Sequence, residues 1–181
     1  MVGQVEPEVR VYPDLNSASR AAAEELVKLI IDSVNESGRF SIALSGGNTT
    51  RTLYALLADE YSDQIPWGSV HIFWGDERYV SKNHADSNYG MANQALLSKV
   101  SIPSQNVHRI QTEMESPDKA ASSYERVLRE FFHSAQADES APTFDLTLLG
   151  VGNDGHTASL FPGDPVLKER ERWVAAVNAS P

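Results

Sequence analysis

Apolar residues recur every three or four positions in some segments of the chain and gather into short runs in others, and the two patterns alternate. Between residues 17 and 36, Ala22, Leu26, Leu29, Ile30 and Val34 fall at helical spacing, and Gly38 is placed to stop that helix. FSIAL (40–44) then predicts a short buried strand. Thr50 to Glu60 returns to helix with Leu53, Leu56 and Leu57 on one face, and SVHIFW (69–74) predicts the next strand. Asn88 to Leu97 reads as a helix capped by Asp86 or Ser87, followed by a weaker strand signal in VHRI (107–110). Pro117 suits a first helical turn that Ser116 caps, with Ala121, Tyr124, Val127, Leu128, Phe131 and Phe132 as the apolar stripe. FDLTLL (144–149) and WVAAV (173–177) complete the predicted strands.

Strands alternating with helices imply an α/β fold: a mainly parallel sheet with helices on both faces, a three-layer sandwich of Rossmann-like type. Ligands of such sheets bind off the carboxyl ends of the strands. FSIAL runs into SGGNTT, SVHIFW into GDERYV, and FDLTLL into GVGNDGH. The three most polar, glycine-bearing turns therefore converge on one edge of the sheet.

GVGNDG (150–155) satisfies G-x-G-x-x-G, yet the context of a dinucleotide fingerprint is missing. That motif needs a helix opening at its third glycine and an acidic residue about 20 positions on to hold a ribose. Here HTASLF offers less than two turns before Pro162 and Gly163, and the next apolar run ends in Asn178 and Ser180. The glycines serve something else.

Length and composition narrow the class. A chain of 181 residues with 41% hydrophobic content fits one domain over 1–181, able to bury a core. The absence of cysteine excludes disulfides and thiolate metal sites and is compatible with a reducing compartment. No apolar run approaches membrane-spanning length, and the first residues lack a signal-peptide pattern, so a cytoplasmic protein is expected. A formal net charge of −10 argues against nucleic acid as partner, because its recognition depends on basic patches. A small anion answers only to the local field of its cleft.

Each turn carries its own chemistry. In SGGNTT, Gly46 and Gly47 let backbone amides approach an anion, Ser45, Asn48 and Thr49 add donors, and a helix beginning near Thr50 directs its positive end at the same point. A plain capping turn is the alternative for this stretch by itself. In GDERYV, Asp76 can order polar groups and Arg78 can pair with a phosphate or carboxylate, although an isolated D-E-R reads as a solvated turn. In GNDGH, His156 follows a glycine-rich turn with Asp154 two residues before it, and an imidazole can take a proton from water and return it near neutral pH.

SGGNTT, GDERYV, DSNYGMA and LLGVGNDGHTASLFPG together resemble the 6-phosphogluconolactonases of the glucosamine-6-phosphate isomerase/6-phosphogluconolactonase superfamily. The resemblance runs from about Pro13 to Pro181 with the motifs in the family's order. It implies hydrolysis of 6-phospho-D-glucono-1,5-lactone, a phosphosugar substrate, without cofactor or metal. By motif, His156 is the implied general base and Asp154 its neighbour in the site. Ser45, Gly46, Gly47, Asn48, Thr49, Asp76 and Arg78 are the implied substrate and phosphate contacts. Thr50 departs from the family's usual proline. Family members continue past NASP with a further strand, a helix and a basic residue, so the chain is expected to lack a C-terminal part. Two other readings stand beside this one. A sugar-phosphate isomerase or deaminase of the same superfamily needs a glutamate just past the histidine, which HTASLFPG does not contain. A non-catalytic phosphosugar-binding module needs only the loops.

Overall fold

The computed structural model describes residues 7–133 and 143–177. Their order is α1 (Leu15–Ser37), β1 (Phe40–Leu44), α2 (Asn48–Glu60), β2 (Val70–Trp74), α3 (Asn88–Ala92), α4 (Pro117–His133) and β3 (Leu146–Thr147), with short 3-10 turns between them. Asp14 caps α1 by accepting from the Ser17 amide at 2.7 Å, and Gly38 ends it in the left-handed conformation at φ 81. The buried face of α1 is Ser19, Ala23, Leu26, Val27 and Ile30. It is rotated from the predicted stripe, so Ala22 and Leu29 face outward.

β1 is the central strand of a parallel sheet ordered β2-β1-β3. Phe40 pairs with Val70 through to Leu44 with Trp74, and on the other side Ile42 pairs with Leu146 and Ala43 with Thr147. All five β1 residues are buried, as expected for a strand covered on both faces. Phe40, Ile42, Leu44, Val70, Ile72 and Trp74 join α1, α2 and α3 in the larger core. On the opposite face Phe73 packs with Tyr124 and Leu128 of α4, joined by Phe131, Phe132 and Phe144. The alternation along β2 thus separates two helical layers, which is the α/β sandwich.

β3 is tied to β1 by a side chain as well as by pairing. The Asp145 carboxylate accepts from the Ser41 amide at 2.8 Å, the Ser41 hydroxyl at 2.6 Å and the Ser33 hydroxyl at 2.9 Å. α3 runs on without a break into one π-helical turn, Asn93–Leu97, so the predicted helix over 88–97 holds with a changed winding.

Three strand expectations need correction. FDLTLL narrows to Leu146–Thr147, which pair with Ile42 and Ala43 of β1. VHRI contributes a single parallel bridge, Ile72 to Val107, with the His108 amide donating to Ile72 C=O at 2.8 Å. WVAAV forms no strand: Trp173 lies under the Arg129 guanidinium at 4.1 Å, and the Val174 amide donates to Glu125 at 3.3 Å. Polar partners on α4 hold this apolar run against the helix, a choice that periodicity does not reveal. Asn178 and Ser180 lie outside the described residues. No helix among the described residues is long and apolar enough to cross a membrane.

Candidate active site

The ends of β1 and β2 are each gripped by a buried tyrosine from a helix. Tyr54 of α2 accepts from the Ser45 amide at 3.1 Å and donates to Ser45 C=O at 2.8 Å. Tyr124 of α4 accepts from the Trp74 amide at 2.9 Å and donates to Trp74 C=O at 3.1 Å. Burial pushes the pKa of both phenols up, so they stay neutral and keep both hydrogen-bonding roles. The two turns that leave these neighbouring strands therefore start from points fixed by helices on opposite faces of the sheet.

α2 opens at Asn48, two residues before the sequence suggests, so its first turn is part of the glycine loop. Gly47 is the cap at φ 106 and supplies no side-chain acceptor, which leaves the opening amides of the helix without a capping partner. Thr50 Oγ1 turns back onto the carbonyls of Gly46 and Gly47, both at 3.0 Å. The loop thus has its carbonyls engaged by Thr50 and presents the helix's positive end at an exposed turn, which suits an anion. Ser45 is buried and its amide is already engaged by Tyr54, so that amide is structural.

The second turn holds Asp76, Glu77 and Arg78. Glu77 accepts from four donors: the amides of Arg78 (2.8 Å), Asn88 (2.7 Å) and Tyr89 (2.8 Å) and the Ser87 hydroxyl (3.2 Å). Ser87 itself caps α3 by accepting from Gly90 N at 3.0 Å, as the sequence suggests. Arg78 donates from Nη1 to Asp86 C=O at 3.3 Å and has no carboxylate partner among the described residues. Asp76 and Arg78 line a cleft of about 890 Å³ that continues along α4 and past Ser159 and Phe161.

In the third turn, His156 Nδ1 and Asp154 Oδ1 lie 2.5 Å apart. The His156 amide, and next its ring, hold the Asp154 carboxyl below its usual range, so it is ionised at neutral pH and only accepts. The shared proton therefore sits on Nδ1, which in the neutral imidazole leaves the lone pair on Nε2. Phe161 packs on the imidazole at 4.8 Å between ring centroids. Gly152 is required here, because a Cβ at this position would come within 2.2 Å of His156 Cε1.

Two side chains absent from the sequence-level site join the turns. Asn88 bridges the first two, and Ser159 Oγ donates to Asp76 Oδ2 at 2.7 Å, linking the second to the third. Asn88 stands in DSNYGMA and Ser159 in HTASLFPG, but no spacing rule marks an amide or hydroxyl as a cross-link between distant turns. Histidines 71 and 108 lie elsewhere, paired at 3.2 Å beside Phe73. No cluster of three metal-ligating side chains occurs among the described residues.

The sequence family described as glucosamine-6-phosphate isomerases/6-phosphogluconolactonase matches residues 13–181. A 6-phosphogluconolactonase of Nostoc sp. is 41% identical over 170 residues, which cover 94% of this chain and 69% of that protein. One from Synechocystis sp. is 46% identical over 149 residues, covering 82% of this chain and 60% of the relative. Among solved structures, 6-phosphogluconolactonase from Trypanosoma cruzi superposes with a TM-score of 0.80 at 34% identity, over 92% of this chain and 67% of that one. The Trypanosoma brucei enzyme gives 0.78 at 31% identity, over 97% and 73%. The chain thus spans roughly two thirds of the length of these relatives, and it belongs to the glucosamine-6-phosphate isomerase/6-phosphogluconolactonase family.

Proposed function

We propose that the protein hydrolyses 6-phospho-D-glucono-1,5-lactone to 6-phospho-D-gluconate, the lactone-opening step of the oxidative pentose phosphate pathway. The observation that carries this reading is the Asp154–His156 pair, with Nδ1 held by a carboxylate and Nε2 left as a base. Relatives named 6-phosphogluconolactonase support the substrate class.

In this reading the phosphate rests on the Gly46–Thr49 amides at the α2 N-terminus, with Arg78 as its cationic contact. Nε2 of His156 takes a proton from water as the water oxygen bonds to the lactone carbonyl carbon. The tetrahedral oxyanion collapses, the bond from that carbon to the ring oxygen breaks, and the imidazolium returns the proton to the departing oxygen. A lactone is an activated ester, so a positioned base and water suffice without a nucleophilic serine.

His156→Ala should lower kcat by about 10²–10⁴ above spontaneous hydrolysis while leaving affinity for 6-phosphogluconate close to wild type. Lactone hydrolysis followed by pH-stat, beside a product titration, reads both quantities. Near-normal turnover by the variant would remove His156 from the mechanism.

A further inference from the structure

Asn88 is the first residue of α3 and is 3% exposed. Its Nδ2 donates to Asp76 C=O at 3.0 Å and to Asp76 Oδ1 at 3.3 Å. Its Oδ1 lies against Gly46, where an added Cβ would approach it to 1.9 Å. Asp76 Oδ2 is held in turn by the Ser159 hydroxyl at 2.7 Å. Gly46, Asn88, Asp76 and Ser159 thus form one connected line through all three strand-end turns. The Glu77 carboxylate, bonded to the amides of Asn88 and Tyr89, anchors the helix end that delivers the carboxamide.

A carboxylate has about four lone-pair sites. Asn88 and Ser159 each occupy one, one on either oxygen, and so fix the plane of the group. The rest remain for a ligand in the cleft that Asp76 lines.

We infer that Asn88 is a positioning residue that acts through Asp76: it sets the orientation of that carboxylate and the spacing between the glycine loop and the histidine turn. Gly46 is glycine in order to admit it. The inference rests on the lactonase reading of the same site and adds a residue to it. Displacing a reacting group by about 1 Å costs on the order of 10²-fold in rate, so a contact of this kind is visible in turnover.

Three variants test it. Asn88→Asp keeps the shape but places a second carboxylate beside Asp76, and two such groups share a proton when close. Its turnover should approach wild type at low pH and fall about tenfold or more as pH rises, a limb that wild type lacks and that a merely structural role would not create. Asn88→Ala should lower kcat by a similar factor with a smaller change in KM. Gly46→Ala should lower the melting temperature in the wild-type background and much less in the Asn88→Ala background, where the clash is gone. A pH profile of Asn88→Asp that superimposes on wild type, or a Gly46→Ala cost equal in both backgrounds, overturns the inference. Wild-type protein that opens no lactone would overturn only the lactonase reading. The melting cycle, with 6-phosphogluconate affinity across the same pH series, would then decide the role of Asn88.

Discussion

At the scale of single residues the candidate site depends on which atom carries a proton and which charge lacks a partner. Asp154 selects the His156 tautomer, and an amide in its place can bond to the ring with its oxygen or its nitrogen. Asp154→Asn should therefore lower kcat on the order of 10²-fold while phosphosugar affinity stays near wild type, measured by turnover and product titration together. Arg78 poses the complementary case. Its guanidinium gives one long hydrogen bond to a carbonyl and has no described carboxylate, so it is available to a ligand. Arg78→Ala should weaken binding of the phosphorylated lactone by about 1.5–3 kcal/mol. Glucono-1,5-lactone, which has no phosphate, should be unaffected, and equal losses on both compounds would contradict the phosphate assignment.

At the scale of elements, the tyrosine grips explain how helices on opposite faces bring their turns to one edge. Each phenol satisfies both backbone groups of a residue at a strand end, where the ladder no longer does so. Tyr54→Phe and Tyr124→Phe leave a buried amide and carbonyl without partners, at a cost of about 1–3 kcal/mol each. Denaturant titration should show this loss in both variants. Tyr54→Phe should also weaken phosphosugar binding, because Ser45 leads directly into the glycine loop, whereas unchanged affinity would show that the loop holds its shape unaided. Of the two, the sequence marked only Tyr124, as a member of a helical apolar stripe. The backbone groups their hydroxyls hold lie 9 and 50 positions away along the chain, both outside the tyrosine's own helix.

At the scale of the whole molecule, the pH dependence of stability gathers groups from separate layers. Burial, then the charge of His71, holds His108 down at about 4, and burial, then Arg39, lowers His71. The unfolded chain binds these protons near pH 6.5 and the folded protein does not, so stability should fall as pH drops from about 6.5 towards 4. Asp145 acts lower in the range. Burial raises its carboxyl, but hydrogen bonds from Ser41 and Ser33 outweigh this and leave it depressed. Its contribution is present above about pH 4 and is lost as pH falls further. Thermal melts of wild type and His108→Gln between pH 4 and 7 should show a shallower decline in the variant. Parallel curves would remove His108 from the linkage.

The alternation of helical and strand patterns, the cap at Ser116, the narrowing of the α3 cap to Asp86 or Ser87, and the stop at Gly38 were determined by sequence alone, because each depends on residues within one or two turns of each other. The polar turns SGGNTT, GDERYV and GVGNDGH, and hence the residues from Ser45 to Thr49, Asp76, Arg78, Asp154 and His156, were likewise marked by composition at predicted strand ends. The docking of WVAAV against α4, the short pairing of β3, and the line from Gly46 through Asn88 and Asp76 to Ser159 were decided only in the tertiary structure. In these cases a group meets a partner on another segment, from 12 to more than 100 residues away. Which partner it meets depends on how the layers pack, a distance that no local pattern encodes.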